Sequence, residues 1–436
     1  VHETGGQLVS IRINKDKIKS VEDIPFLKEN IGERIPWNEN GYYLKERPLF
    51  TIDPLFHAGA YYVQEASSMF LEEAIRQSCD SNEAMHVLDL CAAPGGKSTL
   101  IQSVINENSL LVSNEVIKTR ASILTENITK WGAANVVVTN NDAKDFKKLP
   151  SFFDLIVVDA PCSGSGLFRK DPEAIEEWSL NNVELCSQRQ QRILADVFDA
   201  LKPGGILIYS TCSYSIEEDE AIADWLKDHY EISNIRFQLK EEWGIVETAS
   251  PMHNCYGYRF YPDKVKGEGF FIAAFRKKTE ATLAYKEKKP NTSKLLPSKA
   301  EALAATKYLD QRKEFSFLKW QNDILAIPAS LFDAVMLVLQ NLYIKKAGIN
   351  MGSIIRDELI PSHEWVLSNI AANVFPAIEV NEAVALDYLR RKDIIVETTM
   401  RGWVVIKYEG ISLGLIKILP NRINNYYPKD WRILNK

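Results

Sequence analysis

The chain has 436 residues, enough for two or three domains, each with its own core. Hydrophobic residues make up 46% and charged residues 25%, the balance of a globular protein, and no apolar run reaches the roughly 18 residues that cross a bilayer. A net charge of −6 weighs mildly against a nucleic-acid partner, but the local distribution of Lys and Arg decides that question.

The start, Val1-His2-Glu3-Thr4-Gly5-Gly6, has neither the basic flank nor the apolar stretch of a signal peptide. It lacks an initiator Met, so a few upstream residues are expected to be missing. A cytoplasmic protein with reduced thiols and no membrane partner is expected. The six cysteines (Cys79, Cys91, Cys162, Cys186, Cys212 and Cys255) form no C-x-x-C pair and no zinc-like spacing with His. No metal is expected, and each cysteine is either a buried spectator or a catalyst.

Residues 1–50 read as an N-terminal extension with one strand-like piece at 8–13 and a stretch rich in Pro and aromatics at 35–50. Strand-like runs follow at 86–90, 110–116, 135–140, 153–160 and 205–212, several of them apolar throughout, as strands covered on both faces should be. Helical spacing fills 117–130 and 185–201, the second stopped by Lys202-Pro203-Gly204-Gly205, and 217–228 reads as another helix. Two further strands near 232–238 and 269–276 complete seven. The alternation predicts a doubly wound α/β sheet within residues 51–280. A Lys-rich stretch containing Pro290, Asn291, Thr292 and Ser293 makes 281–299 a basic linker. Residues 300–376 form a first C-terminal domain of helices and short strands. Residues 377–436 carry a helix at 380–391, strand-like pieces at 394–399, 403–408 and 414–419, and a polar-aromatic tail.

The first strand of the α/β region runs into Cys91-Ala92-Ala93-Pro94-Gly95-Gly96-Lys97-Ser98-Thr99 and then a helix. Small residues at such a turn let the backbone approach a ligand, in the crevice beyond the carboxyl ends of the strands. A phosphate-binding P-loop is half met: Gly96-Lys97-Ser98 fits, but Cys91 stands where the first Gly belongs. The dinucleotide fingerprint G-x-G-x-x-G is absent. Glu115, after the second strand, sits where a carboxylate can bind ribose hydroxyls. A ribose-bearing cofactor without a pyrophosphate fits best, and S-adenosylmethionine is the common one. Asp142 either holds the adenine amino group or belongs to a simple turn. Lys97 sits on the loop facing the cofactor, which favours a functional role over that of a solvated helix residue.

The fourth strand ends in Asp159-Ala160-Pro161-Cys162-Ser163-Gly164 and the fifth in Ser210-Thr211-Cys212-Ser213-Tyr214-Ser215. A lone cysteine after a strand is usually filler, but two at matching strand ends beside a cofactor loop suggest chemistry. Methylating an unactivated pyrimidine carbon needs this arrangement. A thiolate adding to carbon 6 of cytosine makes carbon 5 nucleophilic, and a second group then helps release the product. Asp159 is placed to assist at nitrogen 3, to position the cofactor, or both.

These three motifs resemble the signatures of the RNA cytosine-5 methyltransferase family, in particular the bacterial ribosomal-RNA branch typified by RsmF. Gln64-Glu65-Ala66-Ser67-Ser68-Met69 and Arg169-Lys170-Asp171-Pro172-Glu173 match as well, so the resemblance covers residues 35–280 closely. It implies a Rossmann-like seven-strand methyltransferase sheet, Cys212 as nucleophile and Cys162 as the thiol assisting release. It also implies cofactor contacts from Cys91, Ala92, Ala93, Pro94, Gly95, Gly96, Lys97, Glu115, Asp142 and Asp159. In the DNA cytosine-5 enzymes the attacking cysteine is that of the Pro-Cys motif, here Cys162, so Thr211-Cys212-Ser213 marks the RNA class.

The implied substrate is a cytosine in RNA, small-subunit ribosomal RNA or a ribosomal subunit, bound by a monomer. A non-catalytic assembly factor would show a lost cysteine or a broken cofactor loop, and neither is seen. Ser10-Ile11-Arg12-Ile13-Asn14 resembles the family's RNA-contacting extension, or else is an ordinary edge strand. The tail 419–432, with its basic, amide and aromatic groups, suits phosphate contacts and stacking as well as a packed surface turn. It resembles the end of the family's PUA-like RNA-binding domain.

Overall fold

The computed structural model describes residues 8–169, 173–278 and 295–434. Most of the expected linker, and Lys170, Asp171 and Pro172, lie outside the described residues.

Near the N terminus, β1 (Val9–Ile13), β2 (Ile31–Arg34), β3 (Gly41–Leu44) and β4 (Tyr61–Val63) form an antiparallel sheet in the order β2-β3-β1-β4. The single strand expected here is thus one of four. The other three are three or four residues long, too short for an alternation of apolar and polar residues to register. β1 pairs on both sides and is no edge strand. Ser10, Ile11, Arg12, Ile13 and Asn14 are all buried, which overturns the expected RNA contact from this segment. Arg12 donates to Gln64 Oε1 (3.1 Å), Ser103 Oγ (3.2 Å) and Thr99 Oγ1 (2.6 Å), and stacks over Trp131. Asn14 Nδ2 donates to the carbonyls of Gly59 and Trp131. Arg12 thus clamps the N-terminal sheet to the helix Gly96–Val104, and Asn14 ties it to the end of the helix Lys118–Trp131. Arg12→Ala should therefore destabilise the fold by about 2 kcal/mol or more in urea unfolding, with the salt dependence of RNA binding unchanged. Weaker RNA binding at unchanged stability would reinstate the RNA contact.

The central sheet is built on β5 (His86–Asp89), β6 (Leu110–Asn114), β7 (Val136–Thr139), β8 (Phe153–Asp159) and β9 (Leu201–Thr211), parallel neighbours in the order β9-β8-β5-β6-β7. Their side chains alternate between two cores. Leu88, Ile156, Val158, Leu207 and Tyr209 face one layer, while Val87, Leu155, Val157, Ile206 and Ile208 face the other. β10 (Ile232–Ile235), β11 (Val246–Ala249), β12 (Tyr256–Phe260) and β13 (Phe270–Lys277) extend the sheet beyond β9 in antiparallel fashion.

All seven expected strands are present, but the sheet has ten. β11 and β12 make a hairpin, and the tenth strand comes from the C-terminal region. There β14 (Phe315–Trp320), β15 (Asp323–Pro328), β16 (Ile344–Ala347), β17 (Ile349–Ile355) and β18 (Glu358–Pro361) follow in sequence. Four of them form their own sheet, while β16 leaves it to pair with β7. Ile344-Lys345-Lys346-Ala347 carries no strand pattern of its own, because its pairing is set by the exposed edge it meets.

The last sheet comprises β19 (Ala377–Glu379), β20 (Gly402–Tyr408), β21 (Ile411–Leu419) and β22 (Arg422–Asn425). The strand expected at 394–399 does not form, and Ile395 is 87% exposed. The position beside β20 is taken by β19, which pairs with it in parallel. This sheet shares a core with the N-terminal one, Val404, Ile406 and Ile416 packing with Val9, Ile11 and Leu55. The tail divides in two: Tyr427 is fully buried against His363 and Tyr388, whereas Arg422, Tyr426, Lys429 and Arg432 stay exposed.

Candidate active site

From β5 the chain steps to β6 and β7 on one side, then returns to β8 and β9 on the other. The loops after β5 and β8 therefore diverge, and a crevice opens at the carboxyl ends of the strands. The loop Cys91–Lys97, expected to hold a cofactor, lies in that crevice and is fixed through its backbone. Ala92 N donates to Asn114 O, Arg120 Nη2 to Ala93 O (2.7 Å), and Asn127 Nδ2 to Pro94 O (2.8 Å). Gly95, at φ +117°, makes the turn into the helix Gly96–Val104, a conformation that L side chains rarely adopt.

Four carboxylates gather around this crevice. Asp89 ends β5 fully buried, accepting from Ser98 Oγ (2.7 Å), while its Oδ1 has no partner. Burial, reinforced by Asp159 and Glu115 and opposed by the Ser98 hydrogen bond and Lys97, pushes the Asp89 carboxyl up to about 7. Glu115 closes β6 buried, accepts from Ile117 N (2.9 Å) and faces Arg120 at 3.6 Å. Beside it Val116 and Ile117 are about half exposed, a small apolar surface next to a carboxylate. Asp142 caps the turn Ala143–Lys148 through Lys144 N (3.2 Å), so the turn reading holds for one of its oxygens. Asp159 accepts from Lys97 Nζ (2.8 Å) on one oxygen and from Ser210 Oγ (2.8 Å) on the other. Burial alone would lower the Lys97 ammonium. Asp159, Asp89 and the charge of Cys212 outweigh it and raise Lys97 above its ordinary value.

The thiols stand next to this pair. β8 and β9 are in parallel register, Asp159 opposite Ser210, so the loops carrying Cys162 and Cys212 leave the sheet side by side. Their sulfurs are 2.9 Å apart, and both cysteines are free. Gly166 N donates to Cys212 O (2.8 Å), and a Cβ on Gly166 would come within 2.7 Å of the Cys212 carbonyl oxygen. Contact with the Cys212 sulfur, then burial, then the charges of Cys212 and Glu218 push the Cys162 thiol well up. Cys91 is raised too, by burial and the surrounding carboxylates, and offers no third nucleophile.

The structure thus brings Lys97, Glu115, Asp159, Cys162 and Cys212 together at one edge of the sheet, while Asp142 caps its own turn and pairs with Arg192 at 3.4 Å. Asp89 and Glu218 were missed. Asp89 is an acid in an otherwise apolar run, a signal that was available. Glu218 was hidden in the acidic run Glu217-Glu218-Asp219-Glu220, which reads as a solvated helix start. In the structure the helix begins only at Glu220, and Glu218 and Asp219 turn fully inward. A separate cavity of about 640 Å3 opens by Asn108 and Asn135, which precede β6 and β7, the end of those strands away from the thiols. It holds none of this chemistry.

The family described as 16S rRNA methyltransferase RsmB/F matches residues 77–276. The RsmF N-terminal domain matches residues 4–66 and the methyltransferase RsmF PUA domain residues 375–433. A protein of Aeromonas salmonicida named ribosomal RNA small subunit methyltransferase F is 31% identical, covering 97% of this chain and 90% of its own length. The chain belongs to the ribosomal RNA small subunit methyltransferase F family. A relative of the same name from Pectobacterium carotovorum is 32% identical, covering 97% of this chain and 89% of its own. Among solved structures, a methyltransferase homologue from Pyrococcus horikoshii is similar at 29% identity and a TM-score of 0.53, over 63% of this chain and 88% of that one. The likeness agrees with the Rossmann-like methyltransferase sheet expected from the motifs. The chain is an RNA methyltransferase of the RsmB/F family with a PUA domain.

Among the described residues no group of three or more His, Cys, Asp or Glu side chains could hold a metal ion. No described helix is long and apolar enough to cross a membrane.

Proposed function

We propose that this enzyme transfers a methyl group from S-adenosylmethionine to carbon 5 of a cytosine in small-subunit ribosomal RNA. The observation that carries the reading is the pair of free sulfurs 2.9 Å apart, beside the Lys97–Asp159 ion pair, in the cofactor crevice. The lining fits the cofactor. Asp89, Glu115, Asp142 and Asp159 suit a cationic sulfonium and an α-ammonium better than they suit phosphates. The unpartnered Asp89 Oδ1 suits an ammonium donor, and Glu115 beside Val116 and Ile117 suits a ribose and the ring it bears. When bound, S-adenosylmethionine supplies an electrophilic methyl group.

The protein's own groups do the rest. Cys212 attacks carbon 6, and the Lys97 ammonium stabilises its thiolate form. Lys97, paired with Asp159, is the group that can donate toward nitrogen 3 as attack builds charge there, and it takes that proton back once the methyl group has transferred. Asp159 would hold Lys97 in place for that role and contact the cofactor. After transfer, the carbon-5 proton passes to water and its electron pair re-forms the double bond. The carbon–sulfur bond breaks with its pair on Cys212, and the Cys162 S–H stabilises that departing thiolate by hydrogen bonding.

The exposed Arg422, Tyr426, Lys429 and Arg432 would hold phosphates and unstacked bases. The reading includes the division at residues 50, 280, 299 and 376, a monomer and a cytoplasmic location. Incubation with labelled S-adenosylmethionine and unmodified small-subunit ribosomal RNA should yield 5-methylcytidine on nucleoside analysis, with none in DNA. Label in DNA but not RNA, or on another atom, would sink the assignment.

A further inference from the structure

Glu218 touches both cysteine loops from below. It is fully buried in the turn Ile216–Glu218, and the residue following each cysteine donates to it. Ser163 N donates to Oε1 (2.8 Å), and the Ser163 and Ser213 hydroxyls both donate to Oε2, the latter at 2.7 Å. Gln190 Nε2 donates to Oε1 (3.1 Å) and also to the carbonyl of Pro161, the residue before Cys162 (3.1 Å). The Glu218 carbonyl accepts from Tyr209 on β9, which anchors the turn to the sheet. Arg259, the nearby cation, pairs with Asp219 and Glu220 instead. Four donors converging on two oxygens match an ionised, acceptor-only carboxylate, which an amide of the same shape cannot copy.

We propose that Glu218 is a positioning residue that sets the gap between the sulfurs of Cys212 and Cys162, acting through Ser213 and Ser163. The inference rests on the cytosine-5 reading above. Attack needs only Cys212 at carbon 6. Release needs the Cys162 S–H within hydrogen-bonding reach of the Cys212 sulfur as it departs, so it depends on the spacing of the two loops. A shift of about 1 Å in such a gap can slow the dependent step by about 100-fold. The charge of Glu218 also helps keep Cys162 in the protonated form that can donate.

The test is Glu218→Gln, assayed on in vitro-transcribed small-subunit ribosomal RNA with labelled S-adenosylmethionine. Turnover should fall about 10- to 100-fold. KM for RNA should fall with turnover because only a step after covalent capture is slowed, the calorimetric Kd for the cofactor should stay near that of the parent, and a protein–RNA adduct stable to denaturing gel electrophoresis should accumulate. A merely structural role would lower the unfolding midpoint and cofactor affinity together and leave no adduct. That result, or turnover matching the parent, overturns the proposal. Should Glu218→Gln fail to fold, Ser213→Ala removes one hydroxyl of the network and should build up the same adduct to a smaller extent; its absence counts against the proposal. A parent chain that makes no 5-methylcytidine overturns the reading beneath the inference. A parent that makes it while the variants match it overturns the inference alone.

Discussion

Replacing Cys212 by Ala is expected to abolish methyl transfer, with a fall in kcat of about ten-thousand-fold or more, as when other covalent nucleophiles are removed. Replacing Cys162 by Ala is expected to do something different. Attack and methyl transfer still occur, but the departing Cys212 sulfur loses its hydrogen-bond donor, and a covalent protein–RNA adduct builds up. The asymmetry follows from the site. The sulfurs are 2.9 Å apart, yet Cys212 lies within electrostatic reach of the Lys97 ammonium, while the Cys162 thiol is pushed well up by its contact with Cys212 and by burial, with the Glu218 charge adding to them. Denaturing gels of each variant with labelled RNA read the outcome directly. An adduct with Cys212→Ala and none with Cys162→Ala would reverse the two roles and move the chain's chemistry toward that of the DNA enzymes.

Asp89→Asn is expected to make the protein more stable and the enzyme worse. The Asp89 carboxyl is held at about 7 in the folded chain, mainly by burial, and near 4 when unfolded. Between about pH 4 and 7 the folded state therefore binds more protons than the unfolded one, and stability falls as pH rises through that window. Above it the charge is buried at a cost of up to a few kcal/mol, which Asn does not incur. Thermal unfolding from pH 5 to 8 should show a flatter profile for the variant and a higher midpoint at pH 8. In the cofactor reading the unpartnered Oδ1 awaits a cationic donor, so calorimetric affinity for S-adenosylmethionine should drop about 10- to 100-fold. A variant with unaltered affinity would make Asp89 a purely structural acid.

An unpaired buried carboxylate beside a ligand loop is what a functional site retains against stability. On the cofactor reading, that is why Asp89 breaks an otherwise apolar strand pattern. Most of the candidate site was legible because its parts lie on the segments that follow strands whose apolar runs announce themselves. Once β5, β6, β8 and β9 are recognised as parallel neighbours, Lys97, Glu115, Asp159, Cys162 and Cys212 have to share one edge of the sheet. Glu218 could not be found that way. Its partners Ser163 and Gln190 are 55 and 28 residues away in the chain, and the nearby donor Ser213 carries no sequence signal that the acid turns inward.

Arg12 teaches the same lesson in the opposite sense. A basic residue in a short strand near the terminus looks like an RNA contact, but it closes the seam between the N-terminal sheet and the helix Gly96–Val104. β16 and the empty strand position at 394–399 were likewise decided by which sheet edge each segment met. The sequence by itself determined the central sheet, the loop after β5 and the positions of the two candidate thiols, because strand periodicity and turn chemistry are local. Tertiary structure alone decided which charges are buried, which edges are paired and what holds the thiols together, because those depend on groups brought close only by the closed fold.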